Sequence, residues 1–144
     1  MKNSTAPTNG MEGRLPAMAP LANPYVPFQN PDPPKYEARK ALIRGTLFPG
    51  LDLPFMGMVN KHEKPVTPLT ELQAMAFALQ ELALYLDTHR DDKEKIALFN
   101  EYKGVLDELK AKYEEMCGPL TPMTTDNDYW NWTDGPWPWE GECR

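Results

Sequence analysis

Two histidines and two cysteines are the side chains of this sequence with the greatest capacity for metal or nucleophile chemistry. A carboxylate-bridged dimetal centre in a helical bundle needs Glu-x-x-His pairs on facing helices. Val59 precedes His62 at that spacing and Leu86 precedes His89, so neither histidine belongs to such a pair. We expect His89 to cap helix carbonyls or the neighbouring loop at a chain reversal, and His62 to be solvated in a charged linker.

The two cysteines, Cys117 and Cys143, match no zinc-finger spacing and would need both histidines to complete four ligands. Two thiols fit a reducing compartment without a disulfide framework, although they could still pair later in an oxidising place. The acidic pairs Asp91-Asp92 and Glu114-Glu115 are typical of solvated helix surfaces. Because no phosphate loop, nucleophile elbow or Ser/His/Asp order occurs either, the sequence predicts a protein that is not an enzyme and has no metal or cofactor.

The distribution of proline divides the chain into three parts, and these parts must position the histidines and cysteines. Of 16 prolines, twelve lie in residues 1–68, none in 69–117 and four in 118–144. Proline disrupts helix interiors, so the sequence predicts a Pro-rich N-terminal arm, a helical middle and a C-terminal tail. We expect residues 1–24 to be disordered, 25–60 to form a Pro-rich segment, 61–68 to be a linker and 69–144 to hold the helices and the tail.

The Pro-rich segment contains one predicted short helix. Asp32-Pro33-Pro34 can start it, residues 37–44 continue it and Gly45 can end it. An extended stretch with a Pro49-Gly50 turn follows. The segment is too short for a core of its own, so its large apolar side chains need a surface from elsewhere.

The helical middle carries two runs of apolar residues at spacings of three and four. The first begins after a Thr67-Pro68 cap and includes Leu69, Leu72, Ala76, Leu79, Ala83 and Leu86; Gln73, Gln80 and Asp87 mark its polar line. The second follows Asp91, which with Glu94 resembles a capping box. It includes Phe99, Tyr102, Leu106, Leu109, Tyr113 and Met116, and ends at Gly118-Pro119. The predicted fold is all-α: an antiparallel two-helix hairpin, flanked by the arm and the tail.

Charge and hydropathy exclude some partners. The net charge is −6, with +3 in residues 1–68, −5 in 69–117 and −4 in 118–144, and nucleic-acid binding needs a basic face. No apolar run is long enough to span a membrane, and the N-terminal residues do not read as a signal peptide. We expect synthesis in a cytoplasm, no nucleic-acid partner, and association of the apolar hairpin with the arm, a second copy or another protein.

All four tryptophans, Trp130, Trp132, Trp137 and Trp139, lie within ten residues of the tail. Tryptophan supplies a large contact area and one polar N–H, which suits interfaces. Three interpretations remain open: the rings cover the hairpin, anchor another protein, or stack on carbohydrate. The candidate partner-binding residues are these four with Phe28, Phe48 and Phe55.

Two stretches resemble known families. Residues 69–89, which end in Tyr-Leu-Asp-Thr-His, and the tail pattern Trp-x-Trp-x-x-Gly-Pro-Trp-Pro-Trp resemble the CotJB family of spore coat proteins over about residues 65–141. Residues 25–55, from Tyr-Val-Pro-Phe-Gln to Asp-x-Pro, resemble the CotJA family. The two families are usually separate short proteins, encoded side by side.

The resemblance implies sporulation, synthesis in the mother-cell cytoplasm and assembly into the spore coat. It also implies other coat proteins as partners, among them a protein similar to manganese catalases, and it brings no catalytic residues. Two functions stay open: a structural coat component that packs and recruits partners, and an accessory subunit of the manganese catalase-like protein.

Overall fold

The computed structural model describes residues 27–54, 65–126, 128–135, 137 and 140. They contain three α-helices: α1 at Ala38–Arg44, α2 at Pro68–Thr88 and α3 at Lys93–Cys117. Short 3₁₀ turns occur at Pro49–Leu51, Pro122–Thr124 and Asn131–Thr133, and these described stretches hold no strand. The predicted all-α fold with a helical hairpin is confirmed. The predictions for residues 1–24 and for His62 lie outside the described residues.

The start of α2 follows from its first residues. Thr67 Oγ1 accepts the Thr70 N–H at 3.1 Å, and Thr70 Oγ1 accepts the Thr67 N–H at 2.8 Å. Pro68 at the first helical position needs no hydrogen-bond acceptor. This reciprocal cap confirms the predicted boundary, with threonine in the place that glutamate often takes.

The corner between α2 and α3 lies one residue from its predicted position. His89 is the C-cap of α2, and its Nδ1 lies 3.1 Å from the Tyr85 carbonyl oxygen, as expected for a capping histidine. The predicted cap of α3 at Asp91 is wrong, because the Asp92 carboxylate accepts the Lys95 N–H at 3.0 Å. Gly118, with a φ of 91°, ends α3 as predicted.

Helix α1 is shorter than predicted. Asp32 does not begin it; Glu37 is the N-cap and its carboxylate accepts the Lys40 N–H at 3.2 Å. The Tyr36 N–H is instead donated to the Leu47 carbonyl at 2.8 Å, which keeps the chain before Glu37 extended. Gly45 ends α1 in the left-handed conformation, with a φ of 80°, as predicted.

Helices α2 and α3, about 31 and 38 Å long at 1.5 Å per residue, pack along a row of apolar residues. Its buried members are Leu72, Leu106 and Tyr113, and its half-buried members are Leu69, Met75, Leu79, Leu109, Cys117 and Leu120. The predicted last member of the α3 row, Met116, is 50% exposed, and Cys117 takes its place.

Helix α2 has a second buried face that the predicted row did not include. Ala74, Ala78, Leu82 and Tyr85 are each at most 3% exposed, whereas Ala76, which the row predicted to be buried, is exposed. The small side chains of Ala74 and Ala78 leave room for another segment of the same chain to approach α2 closely. That neighbour is the stretch of residues 27–54, here called the α1 segment.

Candidate partner-binding surfaces

The α1 segment is held together by one buried carboxylate. Asp52 has no exposed side-chain surface; it accepts the Tyr36 hydroxyl at 2.9 Å and two guanidinium N–H groups of Arg44 at 2.5 and 2.8 Å. A buried charge is tolerated only when it is paired and fully hydrogen-bonded. Asp52 therefore joins the C-terminal part of the segment to Tyr36, just before α1, and to Arg44 in the last turn of α1.

The α1 segment lies on the second face of α2 through apolar contacts. Tyr36, Ala38, Ala41, Leu47 and Phe48 from the segment form one buried cluster with Ala74, Ala78, Leu82 and Tyr85 of α2. The Phe48 and Tyr85 ring centroids are 5.3 Å apart. The structure thus supplies the surface that the apolar residues of this segment were expected to need.

Polar contacts fix the orientation of the segment on the hairpin. Glu81 of α2 accepts the Thr46 hydroxyl at 3.0 Å and the Leu47 N–H at 3.2 Å. At the other end, Lys35 Nζ donates to the Tyr102 hydroxyl of α3 at 2.6 Å. These contacts reach both helices, so the segment contacts the hairpin as a whole.

A third set of polar contacts lies at the helix corner. The Tyr85 hydroxyl accepts the Asp32 N–H at 3.2 Å and donates to Asp92 at 2.8 Å, while His89 stacks on the Tyr85 ring at 4.2 Å. Lys95 Nζ, which is buried, lies 3.0 Å from Asp32 Oδ1.

These corner contacts shift three pKa values. Burial and the hydrogen bond to Asp92 raise the pKa of Tyr85 above 10.0. The Lys95 N–H and the Tyr85 hydroxyl lower the pKa of Asp92 below 3.8. Burial by itself lowers the pKa of Lys95, but Asp32 and the neighbouring carboxylates outweigh it, so the net shift is upward from 10.5. Each shift keeps the group in the protonation state that maintains the corner contacts.

Beside the corner, an open groove of about 640 Å³ separates the α1 segment from α3. Its charged residues are Lys35, Lys95, Asp32, Glu94 and Glu101. The three carboxylates outnumber the two ammonium groups by one, and Lys35 and Lys95 already contact Tyr102 and Asp32. The groove therefore has a small negative excess, which does not favour an anion.

The tail begins by folding back on the end of α3. Glu114 Oε1 accepts the Leu120 N–H at 2.9 Å and the Thr124 hydroxyl at 2.6 Å. A Cβ at Gly118 would lie 3.7 Å from the Gly135 carbonyl oxygen, so the chain returns to this helix end. Cys117, also at this end, is disulfide-bonded; Cys143 lies outside the described residues.

Large apolar side chains are exposed at the open end of the hairpin, opposite the corner. They come from the residues before α2, the last turn of α3 and the tail: Val66 is 62% exposed, Met116 50%, Met123 92%, Tyr129 63% and Trp130 58%. Single exposed apolar residues are ordinary, but several near one end of a small protein are typical of an interaction surface.

Comparison with known families agrees with this division of the chain. The family model described as CotJB protein matches residues 67–140, and the model described as spore coat associated protein JA (CotJA) matches residues 20–55. The chain belongs to the CotJB family. Its N-terminal part is similar to CotJA, so the resemblances expected from the sequence are confirmed. No curated protein and no solved structure matched the chain.

The two family matches identify a spore coat-associated protein of a generally non-catalytic kind. In this CotJB-family chain, residues 20–55 contribute the α1 segment, and residues 67–140 contribute the hairpin and much of the tail. Within the described residues, no group of three or more His, Cys, Asp or Glu side chains is arranged to hold a metal ion. No helix of the described part is long and apolar enough to cross a membrane.

The seven predicted partner-binding residues occupy different environments. Phe28 is 93% and Trp130 58% exposed, and Trp132 and Trp137 are half-buried. Phe48 is only 2% exposed and contacts Tyr85 of its own chain. Phe55 and Trp139 lie outside the described residues. Neither buried cluster of the described part includes a tryptophan.

Sequence reasoning missed the polar groups that hold the α1 segment. Glu81 had a detectable signal, because it lies three residues after Ala78 and four before Tyr85, on a side of α2 that is otherwise apolar. A carboxylate at that spacing indicates that the face meets backbone or hydroxyl donors. Asp52 and Lys95 carried no comparable pattern, since their partners are distant in the sequence or lie in irregular chain.

Proposed function

We propose that this chain is a non-enzymatic structural component of the endospore coat that acts by packing and by recruiting other coat proteins. The exposed aromatic side chains carry the proposal. Phe28, Tyr129 and Trp130 present more than half of their surface to solvent on a small folded unit. Such rings contribute strongly to binding when a partner buries them.

Family membership supports the location of this function. A spore coat-associated protein of the CotJB family is surrounded by other coat proteins, and its exposed aromatic rings are available for contact with them. We propose synthesis in the mother-cell cytoplasm followed by assembly into the coat. The manganese catalase-like protein implied by the resemblance is one proposed partner, and a second copy of the chain is another.

A fluorescent fusion of the full chain tests the proposal in sporulating cells. We expect fluorescence to concentrate on the developing spore and to remain with spores after the mother cell lyses. The chain should then be extracted with the coat fraction. Fluorescence that stays diffuse in the mother cell and is lost on lysis would contradict a coat function.

A binding assay distinguishes structural packing from an accessory role. The purified chain is mixed with the manganese catalase-like coat protein, and the metal content and turnover of that protein are measured. Structural packing predicts binding that leaves the metal content and the turnover of that protein unchanged. A change in either quantity on binding would favour the accessory role.

A further inference from the structure

The boundary between the two family matches coincides with an interface inside the molecule. The CotJA match ends at residue 55, just after the α1 segment, and the CotJB match begins at residue 67, at the cap of α2. Each model carries the description of a protein in its own right. The contacts of Glu81, Tyr85, Tyr102 and Lys95 with the α1 segment therefore join two regions that belong to different families.

Each side of this interface is incomplete without the other. Without the α1 segment, the second face of α2 would expose Ala74, Ala78, Leu82 and Tyr85, which are now almost fully buried. The α1 segment has one seven-residue helix, too little to bury Leu47 and the other apolar residues by itself. The second face of α2 and the apolar residues of the α1 segment are removed from water only when the two regions bind each other.

The α1 segment also has internal contacts that prepare it for docking. The Asp52 carboxylate joins Tyr36 to Arg44, and the Tyr36 N–H is bonded to the Leu47 carbonyl. All of these groups lie within residues 27–54. A segment that is partly ordered by its own hydrogen bonds loses less conformational entropy on binding.

We propose that the second face of α2, with Glu81 at its polar edge, is a docking site for a separate chain of the α1-segment type. The matching ligand has an aromatic anchor equivalent to Phe48. It also has a free backbone N–H and a hydroxyl equivalent to those of Leu47 and Thr46, which Glu81 accepts. In this chain the residues between 55 and 67 connect the α1 segment to its docking site. This connection raises the local concentration of the segment, which also binds as a separate chain. The inference does not depend on the coat function proposed above.

Cleaving the connection after the full chain has folded tests the proposal. A specific protease site is inserted between Val59 and Asn60, and the purified protein is cut. We expect the two fragments to co-elute from a sizing column at the mass of the uncut chain. The apparent melting temperature should fall on dilution for the cut protein and stay constant for the uncut one, because only the cut form is bimolecular.

Substitutions at Glu81 show whether the association uses this interface. Glu81→Ala leaves the Thr46 hydroxyl and the Leu47 N–H without their acceptor, so the dissociation constant of the cut fragments should rise about ten- to a hundredfold. Glu81→Gln keeps one carbonyl acceptor and should restore part of the affinity. Asp87→Ala, on the exposed side of the same helix, is the matched control and should leave the affinity unchanged.

Two results would overturn the proposal. The first is separation of the fragments on cutting at micromolar concentration while the uncut chain remains folded by circular dichroism. The second is co-elution with the same affinity in the parent and the Glu81→Ala protein, which would place the association elsewhere. Loss of the chain from spores would bear on the coat function and leave this inference untouched.

Discussion

Buried charges cost the most free energy to bury when they lack a partner. In this fold Asp52 and Lys95 each have a partner within the chain. Asp52 is enclosed completely and paired with Arg44 and Tyr36, and Lys95 is 5% exposed and paired with Asp32. Ion pairs of this kind add little net stability over an apolar pair, but removal of one partner leaves the other uncompensated. These ion pairs therefore determine the relative orientation of the segments more than the free energy of their association.

Replacing Asp52 should have a much larger effect than replacing an exposed acid. Asp52→Ala removes the carboxylate that accepts the Tyr36 hydroxyl and two N–H groups of the half-buried Arg44 guanidinium, and should lower the free energy of unfolding by about 3 kcal/mol. Asp87→Ala removes an exposed carboxylate and should change it by less than about 0.5 kcal/mol. Urea unfolding followed by circular dichroism measures both. Equal stabilities would show that the Asp52 contacts do not persist in solution.

At the scale of the elements, helix α2 places two leucines that are two residues apart in opposite environments. Leu82 is fully buried between α2 and the α1 segment, whereas Leu84 is 54% exposed. Leu82→Ala should cost about 2–5 kcal/mol, because it removes buried methyl groups and leaves a cavity. Leu84→Ala, the matched change, should cost less than about 0.5 kcal/mol. Thermal melts of the two variants at similar midpoints would place the α1 segment away from this face.

The cap of α3 should make stability depend on acid pH. The pKa of Asp92 is lowered in the folded chain by the Lys95 N–H and the Tyr85 hydroxyl, so its contribution is fully present above the unfolded value of about 3.8. That contribution is lost as the pH falls through the folded pKa. In Asp92→Asn the side chain still accepts the cap hydrogen bond but does not titrate. The difference in unfolding free energy between parent and variant should shrink as the pH falls below the unfolded value of about 3.8. A difference that stays constant with pH would show that the Asp92 carboxylate does not cap α3.

Helices and their ends were predictable here, whereas their faces were predictable only in part. Local signals such as Thr67-Pro68, Gly45 and Gly118 act on the neighbouring backbone, so they located helix ends well. The row containing Ala76 did not locate the second buried face of α2, although the sequence predicted that the hairpin associates with the arm or with another partner. The α1 segment turned the buried arc toward Ala74 and Ala78. The contacts of Asp52 depend on long-range packing that no local pattern in the sequence encodes, whereas the position of Glu81 on an otherwise apolar side of α2 was a detectable signal.

At the scale of the whole molecule, buried and exposed aromatic residues have separate tasks. Phe48 and Tyr85 join the α1 segment to the hairpin, while Phe28 and Trp130 remain open to solvent. The tail that carries Trp130 is anchored by Glu114, which accepts hydrogen bonds from Leu120 and Thr124. An exposed ring on an anchored tail has less freedom to lose when a partner covers it. This arrangement favours partner contact as the role of Trp130.

Trp130→Ala should therefore reduce retention in the coat without unfolding the chain. A buried tryptophan anchor contributes about 2 kcal/mol or more to an interface, which corresponds to more than tenfold in affinity. We expect the melting temperature of the purified variant to match the parent, and the amount of tagged chain recovered with purified spores to fall several-fold. Leu84→Ala, at similar exposure on α2, should leave both quantities unchanged. Melting at a lower temperature would show instead that Trp130 covers the hairpin, and unchanged recovery of a stable variant would remove Trp130 from the interaction surface.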